Sequence, residues 1–259
     1  MGKSILRTVL CYAALQLLFI SLFGPAQDVS ARSIAIYGGA SVLLHVLLCV
    51  FLFTFKKDFY NVSTGEQLTR INAANRITLL RISSLPTIAF LLHNNDIGTI
   101  RVILPILLVL VFLTDTFDGQ IARRCKQITR MGSMLDSISD YSLLFVISIV
   151  YFRNSIVPHW FFYLIFFRLF LQALGMLVFI VLKKPIETKS TWGGKITIAT
   201  TMTLYVTELV RLFLPADYAI FFRIAEYVSG AIILALCVEK GSIFFRQGKK
   251  VKQDRKAAL

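Results

Sequence analysis

Residues 115–140 read DTFDGQIARRCKQITRMGSMLDSISD and hold four of the nine aspartates in the chain: Asp115, Asp118, Asp136 and Asp140. Apolar stretches of membrane length lie next to this run. An ionised carboxylate beside hydrocarbon costs several kcal/mol unless a cation compensates its charge. Mg²⁺ suits this role because it binds oxygen ligands and shares them with the phosphates of a substrate. The run therefore predicts a metal site at one edge of a helical membrane protein.

The spacing of the aspartates predicts two helix faces. Asp115 and Asp118 are three residues apart, and Gly132, Asp136 and Asp140 follow one another at intervals of four. Residues at these intervals lie along one face of an α-helix. Two helices facing each other through these residues would form a pocket with four carboxylates and two metal ions. The alternative interpretation is that the carboxylates are solvated at a membrane surface or cap helix ends.

The composition is typical of an integral membrane protein, since 56% of the residues are hydrophobic and the mean hydropathy is +0.72. Eight stretches are long enough to cross about 30 Å of hydrocarbon at about 1.5 Å per residue. These predicted spans are 5–23, 33–55, 77–93, 98–117, 132–152, 157–182, 195–214 and 217–238. The sequence thus predicts an all-α membrane protein with eight spans.

Basic residues are concentrated in alternate connecting segments. They cluster before the first span, in 56–76, in 123–130, in 183–195 and after the last span, whereas the connectors 93–98 and 153–158 are nearly neutral. The positive-inside rule places the basic segments, both termini and the four aspartates in the cytoplasm. The net charge of +14 fits contact with anionic lipid headgroups, and its division among short loops argues against a nucleic-acid partner.

The chain divides into four predicted regions. They are two N-terminal transmembrane helices (1–55), a cytoplasmic interfacial segment (56–76), a six-helix catalytic membrane domain (77–238) and a basic cytoplasmic tail (239–259). The segment 56–76 mixes apolar and charged residues, which favours an amphipathic helix in the interface. The first span resembles a signal peptide, but we expect a retained helix because it is long and Gly24-Pro25 is a poor cleavage context.

The pattern Asp-x2-Asp-Gly-x2-Ala-Arg-x8-Gly-x3-Asp-x3-Asp resembles the signature of the CDP-alcohol phosphotransferases (CDP-alcohol phosphatidyltransferases). Its fixed positions are all filled, by Asp115, Asp118, Gly119, Ala122, Arg123, Gly132, Asp136 and Asp140. The resemblance covers residues 70–240 and implies a six-helix core, here preceded by two extra transmembrane helices. It also implies transfer of a substituted phosphoryl group from a CDP-activated compound to an alcohol, with release of CMP.

The resemblance implies a role for each residue of the motif. The ligands of two Mg²⁺ or Mn²⁺ ions would be Asp115, Asp118, Asp136 and Asp140. Asp140 would also be the general base that takes the proton of the acceptor. The residues that contact the CDP group would include Asp118, Gly119, Ala122, Arg123 and Gly132. Small residues let a ligand approach the backbone, although they also favour the packing of membrane helices. Gly132 is expected to leave room where the second metal helix approaches the first.

A second resemblance lies upstream, in Asn75-x2-Thr78-x2-Arg81 followed by Pro86. This pattern is similar to the first core helix of bacterial phosphatidyl-transferring members of the family, notably phosphatidylglycerophosphate synthases. The three polar residues share one helix face and are assigned to CDP binding. Arg81 inside an apolar span needs an anionic partner, either the CDP phosphates or the metal-site carboxylates. The alternative is an arginine that extends to the interface.

Two further cations are candidates for binding the acceptor. Arg168 interrupts an aromatic span, and Lys195 follows Gly193-Gly194 at a predicted helix start, as in phosphatidylglycerophosphate synthases. Together they are assigned to the phosphate of an acceptor such as glycerol-3-phosphate. The chain departs from those synthases at Leu169, where an acidic residue is usual, and at Tyr141, where a lysine is usual. The acceptor therefore stays open among glycerol-3-phosphate, serine, inositol phosphate and choline.

The expected function is phospholipid biosynthesis at the cytoplasmic face of a bacterial inner membrane. The resemblance and the two cations favour transfer of the phosphatidyl group of CDP-diacylglycerol to an alcohol, with glycerol-3-phosphate as the preferred acceptor. The expected partners are CDP-diacylglycerol or another CDP-alcohol, an alcohol acceptor and membrane lipids, and a homodimer is left open. The alternative enzyme transfers phosphocholine or phosphoethanolamine from its CDP ester to diacylglycerol. A more remote alternative is an ion-coupled transporter, because carboxylates in membranes also mark ion pathways. Transporters often have paired halves with matching broken helices, and the sequence has no such repeat.

Overall fold

A computed structural model of the chain describes residues 1–124, 128–181, 192–211 and 213–257. Within these ranges the side chains are described except at 115–124, 173, 175–181, 192, 216, 240 and 243–257. The described residues are mostly helical, and their only extended pairings are two isolated β-bridges. The prediction of an all-α membrane protein is confirmed.

The helices in chain order are α1 (Gly2–Ala26), α2 (Ala31–Thr54), α3 (Ala73–Ser83), α4 (Leu85–His93), α5 (Gly98–Arg124), α6 (Arg130–Arg153), α7 (His159–Val181), α8 (Trp192–Arg211) and α9 (Ala219–Ala257). Among the described residues, four helical stretches are long and apolar enough to cross a membrane: α1, α2, α6 and the part of α9 from Ala219 to Glu239. The count of eight spans stays a prediction. α9 continues through the predicted tail to Ala257, since that stretch has no proline and is rich in residues that favour helices.

The chain forms two compact units, Met1–Asn154 and Ser155–Leu259. In the first unit α3 packs against both α5 and α6, and α4 packs against α2 and α6. α1 packs mainly against α2 and also contacts α3 and α4. The two N-terminal helices therefore belong to the same unit as the helices that carry the aspartates.

The predicted span 77–93 consists of two helices, α3 and α4, which meet at Ser84. Pro86 has no N–H to donate to the preceding turn, and its ring clashes with the carbonyl four residues before it. Ser84 still donates its N–H to Leu80 O at 3.0 Å, and Ile88 donates to Ser84 O at 2.9 Å. The proline therefore produces a kink that remains hydrogen-bonded on both sides.

The segment 56–76 does not form the expected amphipathic helix. It contains a short 3₁₀ turn at Lys56–Asp58 and then a turn in which Tyr60 pairs with Gln67. Asn61 accepts the N–H of Ser63 through its side chain at 2.9 Å, and Gly65 has a φ of +72°, so Asn, Ser, Thr and Gly build a tight turn. The adjoining backbone pairs with the start of α6, where Val62 N donates to Ile128 O at 2.9 Å. The turn-forming residues and the pairing with a distant part of the chain therefore determine the structure of this segment, and the mixed apolar and charged pattern does not produce a helix.

Contacts between connecting segments define two ends of the first unit. At one end Ile71 N donates to Ser4 Oγ at 3.2 Å, and Asn61 pairs with Thr129. At the other end Asn94 Nδ2 donates to Ser33 Oγ at 3.3 Å, and Asn154 Nδ2 donates to Leu92 O at 3.0 Å. The basic segments around the N-terminus, 56–76 and 128–130 thus share one end, as the alternation of charge predicts.

In the second unit, α9 packs against both α7 and α8. Arg211 Nη1 at the end of α8 lies 3.3 Å from Glu208 Oε2 and 3.2 Å from Glu226 Oε1. The side chains of Glu208 and Glu226 are 0% and 5% exposed, whereas that of Arg211 is 39% exposed. One arginine therefore pairs with two buried carboxylates between α8 and α9, a cluster that the sequence analysis missed.

Candidate active site

The polar residues of α3 form one buried stripe, as their spacing predicts. Asn75, Thr78 and Arg81 are all buried. Asn72 caps the helix by accepting the N–H of Asn75 at 3.0 Å. Asn75 contacts the first turn of α6 and Arg81 contacts its second and third turns, so the stripe follows α6.

Arg81 pairs with the aspartates of α6. Its Nη2 lies 3.4 Å from Asp136 Oδ1 and 3.4 Å from Asp140 Oδ1. Its Nε donates a hydrogen bond to Ser139 Oγ at 2.5 Å. Of the anionic partners predicted for Arg81, the structure contains the carboxylates. The alternative of an arginine that extends to the interface is wrong, because its side chain is 2% exposed.

The two carboxylates differ in access. The side chain of Asp136 is 52% exposed and that of Asp140 is 13% exposed. The guanidinium of Arg81 faces both, and together they place several carboxylate oxygens at this corner of the unit. Such a set fits a hard divalent cation, which prefers carboxylate oxygens. Among the described side chains, no third Asp, Glu, His or Cys joins this pair as a metal ligand.

The other half of the motif lies in α5, which also packs against α3. α5 is helical as far as Arg124, so Asp115 and Asp118 keep the helical spacing that the sequence predicts. The side chains of the α5 motif residues lie outside the described part of the chain: Asp115, Asp118, Gly119, Ala122 and Arg123. The four-carboxylate metal site and the contacts of these residues with CDP remain predictions.

Gly132 lies where α6 contacts α3. Thr129 caps α6 by accepting the N–H of Gly132 through Oγ1 at 2.9 Å, and Asn75 Nδ2 donates to the same oxygen at 3.0 Å. A Cβ on Gly132 would lie 2.6 Å from Asn75 Oδ1 and 2.8 Å from Thr129 Oγ1. The glycine therefore permits the close approach of α3 to α6. That Gly132 also leaves room for α5 stays a prediction.

The two predicted acceptor residues belong to the second unit. Arg168 in α7 is 5% exposed, and its Nε and Nη1 have no hydrogen-bond partner among the described residues. Lys195 lies exposed in the first turn of α8. A Cβ on the neighbouring Gly193 would lie 2.7 Å from Glu239 Oε2, so a carboxylate of α9 stands beside this helix end. Of the two cations, the buried Arg168 has the greater need of an anionic partner.

Sequence reasoning missed two residues that shape the site. Thr129 stands three residues before Gly132, and a threonine at that distance is a typical N-cap, so the signal was present. Ser139, which accepts from Arg81, lies between apolar and acidic residues in a serine-rich run and carries no distinguishing signal. Its role depends on which face of α6 meets α3.

The chain is similar to known proteins over the region that contains the aspartate motif. The sequence pattern of the family described as CDP-alcohol phosphatidyltransferase matches residues 71–238, from the start of α3 into α9. A Rickettsia bellii protein named CDP-diacylglycerol–glycerol-3-phosphate 3-phosphatidyltransferase is 35% identical over 120 residues, which cover 45% of this chain and 65% of the relative.

Two further relatives carry the same name. The Rickettsia prowazekii protein is 34% identical over 113 residues, covering 44% of this chain and 61% of the relative. The Aquifex aeolicus protein is 25% identical over 172 residues, covering 65% of this chain and 93% of the relative. The chain thus matches less than two thirds of the length of the two rickettsial relatives. Since the family pattern covers more than half of the chain and includes the complete aspartate motif, the chain belongs to the CDP-alcohol phosphatidyltransferase family.

Proposed function

We propose that the chain transfers the phosphatidyl group of CDP-diacylglycerol to an alcohol, with glycerol-3-phosphate as the favoured acceptor. The reaction would release CMP and form a phospholipid precursor. The observation that carries the proposal is the buried Arg81 held between Asp136 and Asp140, within a complete family motif. The names of the relatives support both the lipid donor and the acceptor.

Each described residue has a defined task in this proposal. The acceptor oxygen forms a bond to the phosphorus that carries diacylglycerol, and the bond from that phosphorus to the oxygen of CMP breaks. Asp140, only 13% exposed, takes the proton of the acceptor hydroxyl. Arg81 fixes the orientation of Asp140 and Asp136, while the exposed Asp136 faces the side open to substrate.

The family generally depends on divalent metals, and the carboxylates of α6 fit such an ion. The residues that would hold Mg²⁺ or Mn²⁺ are Asp115, Asp118, Asp136 and Asp140. Bound metal would neutralise the pyrophosphate and stabilise the charge on the departing CMP. Asn75, Thr78 and Gly132, together with the small residues of α5, would line the path of the CDP group.

The buried Arg168 supports an acceptor that carries a phosphate. Arg168 is 5% exposed, and two of its guanidinium nitrogens have no hydrogen-bond partner among the described residues. A buried cation in this state is costly unless an anion binds it, whereas an exposed cation is solvated by water. Diacylglycerol, the acceptor of the alternative enzyme, carries no charge that would satisfy it. We therefore favour glycerol-3-phosphate over uncharged alcohols, with Lys195 as a secondary contact.

We also propose that the aspartates face the cytoplasm of a bacterial inner membrane. The support is that the basic segments share one end of the first unit with the start of α6, where the motif helices are joined. Nucleotide-activated substrates are made in the cytoplasm, so an active site at this end would meet its donor there.

The test is the release of CMP by the detergent-solubilised protein. It requires CDP-diacylglycerol with Mg²⁺ or Mn²⁺, and a panel of glycerol-3-phosphate, serine, inositol phosphate, inositol and choline as acceptors. We expect turnover with glycerol-3-phosphate. Turnover confined to choline or serine would overturn the acceptor, and transfer from CDP-choline to diacylglycerol would overturn the donor.

Variants of Arg168 separate acceptor binding from donor binding. We expect Arg168→Ala to raise the KM for the acceptor by roughly ten- to a hundredfold, through loss of a charge-assisted hydrogen bond, and to leave the KM for CDP-diacylglycerol nearly unchanged. Arg223→Ala, an exposed arginine in α9, serves as the control. If Arg168→Ala weakens donor binding and spares the acceptor, Arg168 does not hold the acceptor phosphate.

A further inference from the structure

The N-terminal helices α1 and α2 lie outside the residues that match the family, yet they make polar contacts with its first helix pair. His45 of α2 hydrogen-bonds through Nε2 to Ser83 Oγ at the end of α3. Gln16 of α1 accepts a hydrogen bond from Thr87 Oγ1 in the first turn of α4. All four residues are buried. Polar groups buried in a membrane unit are costly unless paired, so these contacts hold the helices in one register.

The hydrogen bonds of His45 have a defined direction. Its Nδ1 lies 2.7 Å from the carbonyl oxygen of Ser41, which can only accept, so Nδ1 carries a proton. In the neutral imidazole, Nε2 then accepts the hydroxyl hydrogen of Ser83. A phenylalanine at this position would keep much of the ring volume and lose both bonds, whereas a glutamine keeps a polar group that can reach Ser83.

The two contacts lie on either side of the kink between α3 and α4. Ser83 precedes Ser84 and Pro86, and Thr87 follows them. The proline removes one backbone hydrogen bond at this place, so the angle between the two helices depends more on outside contacts than it does in a regular helix. Arg81 is two residues before Ser83, and its Nη2 lies 3.4 Å from a carboxylate oxygen of both Asp136 and Asp140. A small rotation of the end of α3 would therefore move that nitrogen off at least one of them.

We propose that the α1–α2 hairpin is a positioning element for the active site, with His45 and Gln16 as positioning residues that act through Arg81. The proposal rests on the proposed function insofar as Arg81 serves Asp136 and Asp140 in phosphatidyl transfer. Holding the kink fixes the end of α3, and this fixes the cation between the two carboxylates. Neither residue touches substrate.

The test combines kinetics with Mn²⁺ binding, measured by electron paramagnetic resonance on the detergent-solubilised full chain. We expect His45→Phe to lower kcat about tenfold while the KM for CDP-diacylglycerol changes less than about twofold, because Arg81 moves off the carboxylates and the donor pocket is kept. His45→Gln should restore most of the lost kcat. Thr54→Val is the control, because this exposed α2 threonine bonds only to the carbonyl of Val50 at 2.8 Å; it should match wild type.

Mn²⁺ binding distinguishes positioning from general damage. Removing the cation with Arg81→Met should tighten Mn²⁺ binding, since a positive charge beside the carboxylates opposes the metal. His45→Phe should tighten it about threefold in the wild-type background and leave it unchanged in the Arg81→Met background, because coupled residues are not additive. An equal change in both backgrounds, or none in either, would overturn the proposal.

Ser83→Ala and the wild-type chain provide two further tests. If His45→Phe does not fold, Ser83→Ala removes the same hydrogen bond from the other side with little change of volume, and it must reproduce the loss of kcat and the tighter Mn²⁺ binding. If Ser83→Ala behaves as the wild-type protein does, the proposal is wrong. A wild-type chain that releases no CMP refutes the proposed function instead, and the Mn²⁺ titration still tests the positioning of Arg81.

Discussion

Arg81, Asp136 and Asp140 show how the site depends on single residues placed on neighbouring helices. The guanidinium is buried because α3 lies against α6, and it is tolerated there because two carboxylates neutralise it. Each aspartate can be removed while the other still pairs with Arg81. Changes at Asp136 or Asp140 should therefore affect chemistry more than folding.

The aspartates of α6 provide the first prediction. Asp136→Asn and Asp140→Asn keep the side-chain size and remove the charge, so the protein should fold while activity falls by at least about 10². CMP release and thermal unfolding of the purified variants measure the two effects. Asp96→Asn, an exposed acid at the opposite end of the first unit, should leave both unchanged. Turnover near the wild-type rate in both α6 variants would refute the role assigned to this pair.

Gly132 provides the second prediction. Gly132→Ala places a methyl group 2.6 Å from Asn75 Oδ1 and 2.8 Å from Thr129 Oγ1, so these side chains must shift and the hydrogen bonds that link α3 to the start of α6 are disturbed. We expect a loss of about 1–3 kcal/mol of stability and lower activity. Gly38→Ala is the matched control, since nothing lies within 4 Å of the added Cβ and alanine favours the α2 helix. Equal unfolding temperatures for the two variants would show that the contact has room to relax.

At the scale of elements, local signals were sufficient for most helices and insufficient for the segment 56–76. The long apolar runs and the proline at 86 predict helices and a kink that the structure contains. The turn at Asn61–Gly65 had its own signal in Asn, Ser, Thr and Gly, but its partner Thr129 is far along the chain. No periodicity within 56–76 encodes that pairing, so the segment was expected to be a helix.

The same limit applies to the site. Spacing alone placed Asn75, Thr78 and Arg81 on one face, and charge placed an anion beside Arg81. Spacing did not identify the helix surface that this face contacts, so the contact of Gly132 with Asn75 and the contribution of Thr129 were missed. Residues on one helix can be related by period, whereas residues on two helices can be related only after the packing is known.

The link between α8 and α9 provides the third prediction. Arg211→Met leaves the buried Glu208 and Glu226 without their shared guanidinium, so we expect the free energy of unfolding to fall by roughly 2–4 kcal/mol. This is less than for a fully buried ion pair, because the side chain of Arg211 is 39% exposed. Thermal unfolding in detergent measures it. Adding Glu208→Gln to Arg211→Met should recover part of the loss, because one buried charge is removed. If the double variant is less stable than the single one, the cluster is not governed by charge.

At the scale of the whole molecule, the alternation of basic and neutral connectors agrees with the geometry of the first unit. Residues Ser4, Asn61, Ile71 and Thr129 meet at one end, and Ser33, Asn94 and Asn154 lie at the other. The distribution of basic residues and these contacts are independent observations, so their agreement strengthens the proposed topology. Which end faces the cytoplasm rests on the positive-inside rule.

The orientation provides the fourth prediction. In a chain whose native Cys11, Cys49, Cys125 and Cys237 are replaced by serine or alanine, Asp96→Cys should react with a membrane-impermeant maleimide on intact cells. Ser63→Cys, in the exposed turn at the basic end, should react only after the cells are opened. Detergent-treated cells, in which both variants should react, control for the reactivity of each thiol. The reverse pattern on intact cells would place the aspartates outside the cell.

The contacts of Gln16 and His45 also bear on the biogenesis of the protein. Ribosomes synthesise Thr87 71 residues after Gln16, and Ser83 38 residues after His45. During that interval α1 and α2 carry polar groups whose partners do not yet exist, which makes their release into lipid unfavourable. We therefore expect the nascent hairpin to stay beside the insertion machinery until α3 and α4 emerge. A ribosome stalled before residue 83 should cross-link α2 to the translocon, and one stalled well beyond residue 93 should not.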